Sequence, residues 1–181
     1  TGMAASSVRI TGSPEVPAFL LNVAIPPQSK VSVETEKSSL VTLKLTGYRV
    51  YPEQPPWVGD DPKPPFTYDE VVYSSNRFFP EELVQLGSIA IVSRVRTVSV
   101  RLQAVHFNPV TGELMVYRSG RVVVEHYGVS ADNIIENPLA PKPSAEDSLR
   151  RYILNYDFLS LLGYPVSAVC RKTWGDIKCL H

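Results

Sequence analysis

Covalent or metal-assisted chemistry in this chain would have to come from three histidines (His106, His126, His181), two cysteines (Cys170, Cys179) and scattered carboxylates. A thiol nucleophile needs an imidazole fixed beside it and a third group that orients the imidazole. Cys170 and Cys179 lie near the end of the chain, beyond a linker-like stretch, whereas His106 and His126 fall in strand-like segments and His181 is the last residue. No histidine stands at metal-ligand spacing from another His, Cys or carboxylate. His106 and His126 become neighbours only if their strands pair, and half-buried structural histidines are the competing reading. The two thiols read either as a short-loop disulfide in an oxidising compartment or as unpaired groups of a tail. Asp60-Asp61 and Glu81-Glu82 are pairs in sequence only, and neither a phosphate-cradling glycine loop nor a nucleophile elbow is present. The residues predict no catalysis, no metal site and no cofactor in this chain.

What remains for function is binding. Trp57, Phe66 and Tyr68 lie in or beside residues 52–65, where six of fourteen positions are proline. Proline cannot donate to a sheet ladder, so this stretch reads as a stiff, extended surface loop. A loop of that length is more often functional than accidental. Its aromatic rings either face solvent as a binding surface or fold back over one end of the fold. Eighteen basic residues balance eighteen acidic ones in the 181-residue chain. Such a chain carries no field to attract a polyanion, which argues against a nucleic-acid partner. No apolar run reaches the roughly 18 residues of a membrane span. The chain begins at Thr1 with no secretory signal pattern, so a signal is absent or already removed, and the sequence reads as a piece of a longer product.

The elements that must position these residues show a period of two. Val31-Ser32-Val33-Glu34, Leu40 to Leu45, and Thr97 to Ala104 alternate apolar with polar side chains. In the last, Val98, Val100, Leu102 and Ala104 are expected on a core, with Thr97, Ser99, Arg101 and Gln103 toward water or a partner. Asn108-Pro109-Val110-Thr111-Gly112 predicts a hairpin turn, with Asn108 capping and Gly112 in the left-handed position. Arg118-Ser119-Gly120-Arg121 suggests a second reversal, which would make residues 94–127 a three-stranded antiparallel meander. Phe78 to Val84 reads as a short turn or a single helical turn. After Gly128 a proline-rich linker (129–143) leads to a predicted amphipathic helix of about four turns over 144–163. Ser144 would cap that helix, and Gly163 and Pro165 would stop it. The expected architecture is an all-β antiparallel sandwich over 12–128, with an N-terminal tail (1–11), the linker, the helix and an atypical tail (164–181).

Several of these segments, taken in order, resemble the N-terminal propeptide of gingipain-type cysteine peptidases. They are Gly12-Ser13-Pro14-Glu15-Val16-Pro17, Asn22-Val23-Ala24-Ile25-Pro26, the Val31/Val33 alternation, the proline-rich loop, Tyr73 to Pro80, Arg94-Val95-Arg96, the hairpin Phe107 to Tyr117, and Val122-Val123-Val124. The match runs over about residues 12–127, and Leu154-Asn155-Tyr156-Asp157 looks like the segment that precedes the catalytic domain in such precursors. Cys170 to His181 matches nothing in the family pattern. The resemblance implies a jelly-roll-like β-sandwich that keeps a secreted or cell-surface cysteine peptidase latent and assists its folding. The partner it implies is the catalytic domain of the same precursor, outside this chain. A propeptide of this type inhibits by laying an uncleavable loop across the active-site cleft. Family members acting on basic substrates look to use a basic side chain on that loop, which makes Lys63, flanked by Pro62 and Pro64, and Arg77 the candidates. The docking surface is expected on the sheet face with Arg94, Arg96 and Arg101, or at the loop end near Lys63. The dibasic pair Arg150-Arg151 is a candidate processing point. Two further readings stay open: a carbohydrate-binding sandwich using Trp57, Phe66 and Tyr68, and an adhesion or secretion-associated module without a ligand cleft.

Overall fold

A computed structural model describes residues 3–7 and 10–165; Cys170, Cys179 and His181, and with them the question of a disulfide, lie outside the described residues. Seven strands build two antiparallel sheets. β1 (Met3–Ser7), β2 (Pro17–Ala24), β5 (Val95–Leu102) and β4 (Val84–Val92) form one, in the order β1-β2-β5-β4. β3 (Lys30–Lys44), β7 (Glu113–Tyr127) and β6 (Val105–Asn108) form the other, in the order β3-β7-β6. The all-β antiparallel expectation holds.

Period-two patterning explains the interior. Val98 and Val100 of β5 stand opposite Val23 and Leu21 of β2, and they pack against Val31, Val33, Val122 and Val124 of the facing sheet. A second cluster closes one end of the sandwich, with Val16, Ala18 and Phe107 at its centre and Leu45, Val50 and Phe79 against them.

Three expectations are corrected. Residues 94–127 are not one meander: β5 belongs to the four-stranded sheet, and the chain crosses at Gln103-Ala104 to begin β6 in the other. The corner is held by Gln103 N donating to Leu83 O (2.8 Å) and Tyr117 N donating to Ala104 O (2.9 Å). Arg118 to Arg121 make no reversal, because β7 runs straight through them. There the long β3–β7 ribbon absorbs an irregularity between Glu36 and Leu40, pinned by a Ser39–Ser119 hydroxyl hydrogen bond of 2.8 Å and an Arg121–Glu36 ion pair of 3.1 Å. The four-turn helix is instead a helix α2 of seven residues (Glu146–Tyr152), preceded by a 3-10 turn at Pro143–Ala145 and followed, after Ile153 in extended conformation, by another at Tyr156–Phe158. The apolar spacing over 149–164 is real, but it serves a folded-back strap rather than one continuous helix. Leu149, Ile153, Leu159 and Tyr164 are all buried, packed with Ala24 and Val95 on the face of the first sheet that points away from the second.

The strap covers β5 at Val95. Thr97 and Gln103, expected toward water or a partner, are buried, and so is Arg96, whose residue exposure is 0%. Arg96 is a tie rather than a surface charge. Its Nη1 donates to Pro26 O (3.0 Å) and Ser29 O (2.6 Å), its Nη2 to Asp132 O (2.9 Å), and its backbone N–H to the hydroxyl of Tyr164 (2.9 Å). Burial lowers the guanidinium's pKa from its ordinary value, and Tyr164 and Asp132 oppose that shift. The surrounding carbonyl oxygens stand in for the water the charge has lost.

A lysine ammonium has no planar fork with which to span three carbonyls. Arg96→Lys is therefore expected to lower the free energy of unfolding by about 2–3 kcal/mol in a urea titration, given the cost of unsatisfied buried acceptors; an unchanged midpoint would refute this role.

Candidate functional site

The proline-rich loop is held rigidly at its base, and sequence reasoning missed most of the anchors. Tyr51 and Glu53 pair with the segment Gly12–Glu15: Gly12 N donates to Glu53 O (2.7 Å), Glu53 N to Ser13 O (2.8 Å) and Glu15 N to Tyr51 O (2.9 Å). Gly12 has φ of +87°, and a Cβ there would stand 3.0 Å from the backbone nitrogen of Asp69. That nitrogen donates to Gly12 O at 3.0 Å. Asp69 then caps a short helix α1 (Glu70–Ser74), its Oδ1 accepting from Val71 N (3.0 Å) and Val72 N (3.1 Å). The neck of the loop is closed by Gln54, whose Nε2 donates to Pro52 O and Thr67 O and whose Oε1 accepts from Thr67 N, each at 2.9 Å. A side-chain amide thus substitutes for a backbone bridge that proline cannot make.

Aromatic contacts complete the base. Tyr73 of α1 is buried, stacks on Tyr68 at 4.4 Å and donates from its hydroxyl to Val50 O at 2.6 Å. Phe66 packs edge-on against Tyr51 at 5.7 Å, and Trp57 Nε1 donates to Asp61 O (2.7 Å) within the loop. Trp57, Phe66 and Tyr68 are thus each engaged in the loop's own packing while keeping exposed surface. Trp57 is 58% exposed, and Tyr48, Tyr51, Val58 and Val71 add further exposed apolar area from flanking residues. Lys63 is exposed within the same loop.

Arg77 lies on a second loop, anchored by different contacts. Asn76 Oδ1 accepts from Asn108 Nδ2 (2.9 Å), and Phe79 and Phe107 exchange backbone hydrogen bonds of 2.8 Å on either side of the Phe79–Pro80 cis peptide. The Arg77 side chain reaches solvent and pairs with Glu81 at 3.5 Å, an exposed contact of small energetic weight. The predicted hairpin turn forms: Asn108 Oδ1 accepts from Val110 N and Thr111 N, and Gly112 has φ of +70°.

The remaining candidates are dispersed. His106 and His126 are not brought together: His106 stands opposite Met115 and His126 opposite Val31. His106 is buried with Nδ1 against Pro80 O and its ring edge-on to Tyr117. Arg150 and Arg151 sit in α2, where Arg150 pairs with Glu146 (3.0 Å) and Asp157 and lies over the ring of Tyr156. Cleavage there requires α2 to unwind. Of the expected arginine face, Arg96 is interior and Arg94 donates to Ala140 O (3.3 Å). Among the described residues no group of three metal-ligating side chains converges, and no helix is long and apolar enough to cross a membrane.

Gln54 and Gly12 carried no sequence signal, since their partners lie far along the chain. Asp69 did carry one: Asp followed by Glu and two apolar residues is a helix start.

Known proteins share this arrangement. The sequence profile of the family described as Propeptide_C25 matches residues 2–141. Gingipain R1 of Porphyromonas gingivalis is 28% identical over 176 residues, covering 92% of this chain. The chain spans only 17% of that relative's length. A solved complex of Porphyromonas gingivalis RgpB pro- and mature domains superposes with a TM-score of 0.71 at 23% identity, covering 84% of this chain and 76% of that one. A structure addressing zymogenic latency of gingipain K from Porphyromonas gingivalis gives a TM-score of 0.61 at 26% identity, over 69% of this chain and 71% of the other.

Two predictions test the loop base. Gln54→Ala should speed limited proteolysis within residues 55–66 several-fold while lowering global stability by no more than about 1 kcal/mol; equal cleavage rates would contradict the clamp. Burial, with a smaller push from Tyr68 and against the pull of Arg49, raises the Tyr73 phenol to about 12 from 10.0. The unfolded chain then ionises first as the pH rises past 10, so this contribution to stability is whole below pH 10 and is lost between 10 and 12. Thermal melts over that range should fall less steeply for Tyr73→Phe than for the parent chain.

Proposed function

The chain belongs to the Propeptide_C25 family, and from that premise we propose that it is the propeptide of a gingipain-like cysteine endopeptidase precursor. It holds the catalytic domain of that precursor latent and templates its folding. The reading is supported by the family match over residues 2–141 and by the sandwich shared with the gingipain propeptide structures. The whole precursor would act outside the cell, secreted or at the cell surface.

The observation that carries the mechanism is the pre-ordered loop at 55–66. A peptide lying in a peptidase cleft loses conformational entropy when it docks, and a loop already fixed at its neck by Gln54 and stiffened by prolines loses less. Prolines on both sides of Lys63 also make the backbone there resistant to cleavage. Lys63 is the first candidate for the side chain that fills the specificity pocket. Arg77, also on an anchored loop but engaged with Glu81, is the second. The surrounding exposed rings, Trp57 and Phe66 among them, supply the apolar contact area that an inhibitor's interface needs. Processing at Arg150-Arg151 would follow release of α2.

Adding the purified chain to the mature peptidase of the same precursor should suppress peptide hydrolysis at micromolar concentration or below. Lys63→Ala should weaken inhibition at least tenfold if Lys63 fills the pocket; a loss confined to Arg77→Ala would move the assignment to the second loop. No suppression by the parent chain would defeat the reading. N-terminal sequencing of the mature enzyme locates the cut.

A further inference from the structure

The strap formed by residues 144–164 finishes a sheet edge that the first strand leaves incomplete. Among the described residues, β1 pairs with residues 17–21 of β2. At Asn22 and Ala24, on the same strand, the acceptors and donor are taken by the strap. Leu154 N donates to Asn22 O (2.8 Å), Asn155 Oδ1 accepts from Ala24 N (2.7 Å), and Asn155 Nδ2 donates to Ala24 O (2.9 Å). Asn155 is itself buried, so this amide replaces two rungs of a ladder. Nine residues on, Tyr164 does the same at the strand's end: its hydroxyl accepts from Arg96 N (2.9 Å) and donates to Ile25 O (2.8 Å). Of the six buried residues in the cluster on this face, four (Leu149, Ile153, Leu159, Tyr164) belong to the strap, leaving only Ala24 and Val95 from the sheet.

We propose that this strap is a detachable structural part of the inhibitor, so that a cut upstream of it, in residues 137–142, lets the strap leave and thereby dismantles the propeptide instead of merely freeing it. The connecting stretch 137–142 has no regular secondary structure and exposes Asn137, Leu139 and Lys142, which makes it accessible to a peptidase. Loss of the strap strips the backbone groups of Asn22, Ala24, Ile25 and Arg96 of the partners described above and uncovers an apolar face. Latency would thus end by unfolding of the inhibitor, and dissociation would not have to compete with rebinding. The consequence for latency rests on the propeptide reading; the structural role of the strap does not.

The test uses the full chain with a site-specific protease recognition sequence inserted between Leu139 and Ala140. After cutting under native conditions the two pieces should co-elute at the size of the uncut chain, and their melting midpoint should depend on concentration. The body separated from its strap should melt at least 10 °C lower or without a cooperative transition, and its inhibition of the mature peptidase should fall at least tenfold. In the uncut chain, Asn155→Ala and Tyr164→Phe should each lower the midpoint by several degrees while leaving a folded protein. A strap-free body that melts with the uncut chain, or point variants that melt with it, would overturn the proposal. If the stability results hold but even the uncut chain fails to inhibit, the strap stands and the propeptide reading falls.

Discussion

Strand β5 gives up both of its faces to protein, and the rest of the molecule is arranged around that constraint. Its Val98 and Val100 fill the space between the sheets, while Val95 lies under the strap. Arg96 on this strand is fully buried, so its charge has to be solvated from within. Arg96 meets the requirement by binding the carbonyl groups of Pro26, Ser29 and Asp132, and so adds to the backbone hydrogen bonds that join residues 26–29 to residues 130–135. Because the guanidinium is both charged and multidentate, it fixes their mutual position more tightly than apolar contact would. Nearby, its backbone amide is completed by Tyr164, which ties the strap to the same strand.

At the opposite end the problem is different. There the chain must hold a long loop in one conformation with few backbone donors, because its prolines have none. The solution is to fasten the base and leave the span exposed. Gly12 permits the close approach of Asp69, Asp69 starts α1, α1 buries Tyr73, and Tyr73 reaches Val50. Gln54 closes the neck across thirteen residues. The apolar cluster beneath, centred on Phe107, gives these contacts a fixed floor. A loop held in this way is suited to occupying a cleft, since its shape is set before any partner arrives.

The two ends are also separate in their composition. The loop end is aromatic and exposed; the strap is apolar and buried, with its charges paired at α2. On the propeptide reading proposed above, fitting the enzyme and later letting go would fall to different surfaces. Arg150, held by Glu146, Asp157 and Tyr156, illustrates the second: a dibasic pair that looks open to a peptidase in sequence is folded into the strap.

Local chemistry alone determined the all-β character, the Asn108–Gly112 hairpin and the stiff loop carrying Lys63. These depend on residue type at short range: period two, proline's fixed φ and missing donor, glycine's access to positive φ. Tertiary structure alone decided which strands share a sheet, that β7 passes through Ser119-Gly120 without turning, and that the apolar spacing of 149–164 serves a strap instead of a four-turn helix. It also decided that Arg96 is interior. The alternation in β5 marked one buried face, but whether the other face meets water depends on a segment nearly fifty residues away that folds back over it, and no local pattern encodes that distance.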